Sequence, residues 1–180
     1  MITGDQLITG FQGYCSSLIN DIPHGLYEGM ASVLCIGAVV LYTWRGMKAG
    51  RYVSWLLLFE YIILIYCSTV ICRVTYAERR YNFTPFWSYD KPEFLVENIM
   101  NVAVFVPIGL LLGASINGLK WRNALLTGVC LSASIEILRF VFMIGFSEVD
   151  DVMHNTLGCM IGYGVYTIIE IILKMRYKHV

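Results

Sequence analysis

Residues 132–163 read SASIEILRFVFMIGFSEVDDVMHNTLGCMIGY, Ser132 to Tyr163, and the reading of this stretch decides the fold. It is apolar enough for a bilayer, yet it carries Glu136, Arg139, Glu148, Asp150, Asp151, His154 and Asn155. A charge at mid-membrane depth costs about 2.5–3.5 kcal/mol on insertion scales, so such residues turn toward a protein interior or a water-filled cavity. Two membrane helices around an acidic turn are therefore expected here, with function at their polar side chains.

The composition of the whole chain agrees. Of 180 residues, 57% are hydrophobic and 14% charged, against roughly a quarter charged in a soluble domain; mean hydropathy is +0.64. The reading is an all-α, polytopic membrane helix bundle. Formal net charge is zero, so no nucleic-acid partner is expected. The six cysteines lie almost all in apolar segments without metal-ligand spacing and are read as packing residues. No metal and no cofactor is expected.

Outward from the opening stretch, five apolar runs approach the ~20 residues a helix needs to cross the hydrocarbon: Leu26 to Trp44, Val53 to Cys72, Asn98 to Asn117, Ala124 to Phe146 and Val152 to Leu173. Ahead of them, residues 1–24 form an amphipathic segment, with Ile2, Leu7, Ile8, Phe11, Cys15, Leu18 and Ile19 at helical spacing. It is read as an interfacial helix, with a helix-in-groove contact against the bundle as the competing reading, and residues 25–180 as one transmembrane domain. Arg45, Lys48 and Arg51, then Lys120 and Arg122, then Lys174, Arg176 and Lys178 follow alternate spans. The positive-inside rule puts all three groups in the cytoplasm, the N-terminus outside and the C-terminus inside. Membrane lipids are the surrounding partner.

That topology gathers polar groups near the outer surface. Ser132, Glu136 and Arg139 share one helix face at i, i+4 and i+7; Asp151 shares another with His154 and Asn155; Asn98 and Asn101 stand on a third. The loop between the second and third runs adds Arg79, Arg80 and Asn82. Together these form an expected outward-facing pocket between bundle helices. Two readings compete for Glu136 and Arg139: a neutral intrahelical pair that offsets its own burial, or a pocket lining. Asp150 is read as a solvated cap of the last helix. Gly158 and Gly162 form G-x-x-x-G, which points to close helix packing.

The motifs resemble a family. Arg80-Tyr81-Asn82-Phe83-Thr84-Pro85-Phe86 is similar to R-x-N-L-x-P-F, and Asn101, Phe105, Pro107 and Gly109 to N-x-x-x-F-x-P-x-G. Ser132/Ser134 with Glu136, then Asp150, Asp151, Asn155, Gly158 and Gly162, is similar to S-x-x-E followed by D-D-x-x-x-N-x-x-G-x-x-x-G. Four motifs in this order, between Arg80 and Tyr163, resemble the VanZ-like family. Arg139 stands where relatives often carry Gln. The resemblance implies a bacterial cytoplasmic (inner) membrane protein and low-level resistance to teicoplanin, a lipidated glycopeptide antibiotic of the cell envelope; it implies no reaction.

Three function classes follow. The first is a receptor for an anionic, amphipathic envelope molecule, a lipid-linked cell-wall precursor or the lipoglycopeptide itself, held through Arg79, Arg80 and Arg139. The second is an enzyme at the outer leaflet, with Glu136, Asp151 and His154 as candidate acid–base groups; no hydrolase or zinc-protease motif accompanies them, so the leaning is against catalysis. The third is a small transporter or flippase, for which the chain offers no internal repeat.

Overall fold

The computed structural model describes Thr9, residues 48–90 and residues 94–177. The expected interfacial helix, apart from Thr9, and the first apolar run lie outside the described residues. Helix α1, Lys48–Tyr66, continues into a π turn, Cys67–Ile71, and a loop bearing strand β1, Arg80–Asn82, and a 3-10 turn, Trp87–Asp90. Helices α2, Leu95–Ser115, and α3, Trp121–Phe142, follow, then strand β2, Phe146–Glu148, and helix α4, Val149–Tyr177.

These are the last four expected runs. Among the described residues four helices are long and apolar enough to cross a membrane: Gly50–Ile71, Leu95–Ser115, Trp121–Phe142 and Val149–Met175. Each begins three residues before the apolar run that announces it. Arg51, Glu97, Arg122 and the Asp150–Asp151 pair thus belong to helix rather than loop, and for the acids the unpaired N–H groups of the first turn are a favourable setting. Helix α3 stops four residues sooner than expected, at Phe142, because Met143 turns left-handed at φ 57°. The residues after it pair with the loop: Thr75 bridges Ile144, and β1 runs parallel to β2 with Arg80, Tyr81 and Asn82 opposite Phe146, Ser147 and Glu148.

Helices α2 and α4 lie side by side and parallel, in van der Waals contact along their backbones. A Cβ built on Gly158 would sit 2.0 Å from the Val102 carbonyl oxygen, and one on Gly162 1.9 Å from that of Val106. From the other side, a Cβ on Gly109 would meet the Cys159 carbonyl oxygen at 1.8 Å. Only glycine permits that approach. Helix α3 runs back along α4: Cys159 Sγ reaches the Ala124 carbonyl at 3.4 Å, and Asn155 Nδ2 donates to Ser132 Oγ at 2.8 Å. Tyr61 on α1 donates to the Val104 carbonyl at 2.9 Å, beside the break that Pro107 makes in α2.

The burial pattern is that of a protein solvated by lipid. Leu56, Phe59, Ile63, Leu126, Ile137, Ile168 and Ile172 are exposed on the helix surfaces, while Asn98, Ser132, Glu136, Asp150, Asp151, His154 and Asn155 are buried. A core of Leu57, Leu58, Ile65, Phe105, Ile108, Leu112 and Ile135 fills the middle of the bundle. The buried charge lies at one end of it.

Candidate functional site

Four helix ends meet at that place: the π turn closing α1, the first turns of α2 and α4, and the last turn of α3. The π turn forms where Ser68 and Thr69 hydroxyls both donate to the Ile65 carbonyl, at 3.0 and 2.7 Å. Side chains that compete for backbone acceptors loosen a helix end. Its last carbonyls turn to arginines instead: Arg73 Nε donates to Ser68 O at 3.0 Å and Arg139 Nε to Thr69 O at 3.4 Å.

Arg139 is the hub. Its Nη1 lies 3.0 Å from Glu136 Oε1 and 3.1 Å from Asp151 Oδ2, with side-chain exposures of 17, 7 and 5% for Arg139, Glu136 and Asp151. The other carboxylate oxygens are also bonded. Asp151 Oδ1 accepts from Asn101 Nδ2 at 2.6 Å, and Glu136 Oε2 from the backbone N–H of Glu148 at 3.1 Å. Glu136 and Arg139 pair along the helix, as the first of the two sequence readings has it, and Arg139 carries the pairing across to α4; of the two, Arg139 alone lines the cavity.

Around this hub lies a cavity of about 240 Å³, room for several waters or a small polar head group. Asn101, Arg139 and Asp151 line it, as the sequence spacing suggests, together with Thr69, Arg73, Glu97, Phe146 and Glu148. Burial, reinforced by Glu97, Glu136 and Asp150 and opposed by Arg139, pushes the Glu148 carboxyl up to about 7. Glu97 and Glu148 were legible in part: Glu97 stands one turn before Asn101, and Glu148 opens the acidic run. What placed Glu148 here is its pairing with Asn82 across the β1–β2 ladder, a contact without local signal.

The remaining candidates lie elsewhere. Ser132 and Asn155 bond each other deep between α3 and α4. His154 Nε2 meets the Tyr89 hydroxyl at 2.8 Å, and Asn98 Nδ2 donates to Ser88 Oγ at 3.2 Å. Arg79 stacks on Phe140 at 5.5 Å and Arg80 on Tyr76 at 5.0 Å, both exposed, and Asn82 Oδ1 accepts the Thr84 N–H at 2.9 Å within its own turn. These residues shape the loop that covers the helix ends. Asp150 is not a solvated cap: 1% exposed, it accepts from Phe86 N at 2.6 Å, Ser88 N at 3.1 Å and Ser88 Oγ at 2.7 Å. Its carboxylate pins residues 86–88 over the start of α4.

The comparisons with known proteins meet the same residues. A family model described as VanZ/LLP1 matches residues 52–170, which takes in most of α1 as well as the motif-bearing region and all the described residues lining the cavity. Protein VanZ of Enterococcus faecium is 31% identical over 124 residues, 68% of this chain and 72% of that protein. No solved structure matches. The apolar helices, the motifs gathered at one end of them and the extent of both matches agree: the chain is a membrane protein belonging to the VanZ/LLP1 family.

Proposed function

We propose that this protein is a receptor at the outer face of the bacterial cytoplasmic membrane, taking the polar head of an amphipathic envelope molecule into the cavity around Arg139. The handling of that molecule lowers sensitivity to teicoplanin. The observation that carries this reading is the cavity itself: charged side chains from α2, α3, α4, the loop after α1 and strand β2 line about 240 Å³ at the edge of an apolar bundle, where a head group would sit with its chains in lipid.

The geometry favours binding over the alternatives. As an acid–base set, Glu136, Asp151 and His154 are not assembled, since Arg139, Asn101 and Glu148 N occupy the two carboxylates while His154 faces Tyr89 away from the cavity. For a flippase, the described core beneath the cavity offers Leu58, Ile65, Phe105 and Ile108 instead of a polar path. Orientation rests on the basic residues. Lys48, Arg51, Lys120, Arg122 and Lys174 all fall at the helix ends opposite the cavity, which the positive-inside rule puts in the cytoplasm. In intact cells Lys120→Cys is expected to add no labelling by a membrane-impermeant maleimide over the wild-type background. Strong labelling would turn the bundle over and close the cavity to the outside.

The decisive experiment compares teicoplanin and vancomycin susceptibility in a sensitive Gram-positive host expressing wild type or Asp151→Asn at equal membrane levels. Protection against teicoplanin that is lost in the variant is the expected result. Equal protection from both proteins would remove the cavity from the phenotype.

A further inference from the structure

The charge of the cavity is unlike that of an anion receptor. Glu97, Glu148 and Asp151 line it against Arg73 and Arg139, and the Arg139 guanidinium already holds two carboxylates, Asp151 and Glu136 behind the wall. Arginines 79 and 80, the other expected anion contacts, stack on aromatic rings, Phe140 of α3 and Tyr76 of the covering loop. Among the described residues lining the cavity, acidic side chains therefore outnumber basic ones.

A separate observation says what is missing. Glu148 is 5% exposed and lines the cavity, and its Oε1 is buried with no hydrogen-bond partner among the described residues. A buried carboxylate oxygen without a donor is among the more costly arrangements in a protein, so the Glu148 side chain calls for a donor, and the cavity that it lines is the space beside it. Among the described residues no lysine lines the cavity. Among the described residues no three His, Cys, Asp or Glu side chains converge to hold a metal ion. A primary ammonium answers the same need: it brings one positive charge and three N–H donors on a head small enough for this volume.

We infer that the cavity seats a primary ammonium group carried by an amphiphile, with Glu148 Oε1 as its principal acceptor and Glu97 and Asp151 supplying the surrounding negative field. This rests on the receptor reading, narrows its polar head to an amine-bearing one and replaces the anionic head expected from the sequence. The ammonium can belong to a phospholipid head or to a peptide carried by the ligand. The chemistry at Glu148 is the same in both.

The test uses the full chain in detergent micelles and native mass spectrometry with three lipids of identical acyl chains: phosphatidylethanolamine, its trimethylated counterpart phosphatidylcholine, and phosphatidylglycerol. Phosphatidylethanolamine is expected to bind at least about tenfold tighter than either, since trimethylation removes every N–H donor and phosphatidylglycerol lacks the cation. Glu148→Gln, which keeps shape and the backbone bond to Glu136, should make the three lipids equal. Glu170→Gln, a half-exposed control toward the far end of α4, should not. Because the ammonium needs an ionised Glu148, wild-type affinity should rise about tenfold from pH 6 to pH 8 for a carboxyl titrating at about 7. The charges facing it are Glu97, Glu136, Asp150, Asp151, Arg73 and Arg139; a bare anion would show the opposite slope. Competition by a soluble lysyl tripeptide would assign the amine to a peptide-bearing ligand, and no competition would assign it to the lipid head. Equal binding of phosphatidylethanolamine and phosphatidylcholine, or preference for phosphatidylglycerol, overturns the inference. If that occurs while Asp151→Asn still abolishes protection, the receptor stands and only the amine falls. If the amine preference holds while Asp151→Asn protects fully, the resistance role falls instead.

Discussion

Gly162→Ala should remove the folded protein from detergent extracts, while Gly164→Ala, two residues along the same helix, should leave it intact. The contrast follows from what each new methyl group would meet. At Gly162 the Cβ would lie 1.9 Å from the Val106 carbonyl oxygen and 2.9 Å from the Leu110 nitrogen, both backbone atoms of α2 that no rotamer change can move. At Gly164 nothing lies within 4 Å. Relief at Gly162 requires the two helices to separate by more than an ångström, which also loosens the contacts at Gly109 and Gly158. Overpacking ordinarily costs ~1–3 kcal/mol; with backbone against backbone the upper end or beyond is expected. Gly164→Ala gains helix propensity and loses nothing. The measurement is fluorescence-detected gel filtration after a heating series on the full chain. An unchanged melting profile for Gly162→Ala would mean that α2 and α4 do not touch along this seam.

The seam was readable because its signal is local. Gly158 and Gly162 are four residues apart on one helix, and G-x-x-x-G has a single physical use in an apolar helix. The same holds for the four described spans, which length and hydropathy define, and for the meeting of Asn101, Arg139 and Asp151, which spacing and alternating helix direction bring to one level. What escaped the sequence is non-local. Strands of three residues, Arg80–Asn82 and Phe146–Glu148, are too short to show alternation and lie more than sixty residues apart, so nothing announced the ladder that brings Glu148 to the cavity. Asp150 looked solvated because its partners, Phe86 and Ser88, are equally distant in sequence. Arg79, Arg80 and Asn82 were grouped with the pocket by their charge and motif; their partners turned out to be neighbouring rings and the loop's own backbone.

Removal of Arg139 should be the most damaging single change at the polar end of the bundle. Arg139→Met keeps much of the aliphatic stem but leaves Glu136 and Asp151 buried, 7 and 5% exposed, with no guanidinium between them. Deleting one partner of a buried pair costs about 3–5 kcal/mol, because the desolvation of the remaining charge goes uncompensated. Here two carboxylates are abandoned at once, and the Arg139–Thr69 contact that ties α3 to the end of α1 goes with them. The triple variant Glu136→Gln, Arg139→Met, Asp151→Asn supplies the control. With none of the three hub charges left to solvate, its melting temperature should return most of the way to wild type, since replacing a buried ion cluster by neutral groups of similar volume is often tolerated. The side-chain amides introduced on α3 and α4 in that variant keep carbonyl acceptors for Glu148 N and Asn101 Nδ2. The recovery is thus a strong non-additivity among neighbours. A triple variant as unstable as Arg139→Met would show that the arginine acts through packing. An Arg139→Met protein as stable as wild type would show that the carboxylates do not need their cation, and the cavity would lose the charge pattern on which its ligand chemistry is argued. A stable triple variant has a further use: with the fold kept and the hub neutral, loss of teicoplanin protection in it would assign the phenotype to the charges themselves.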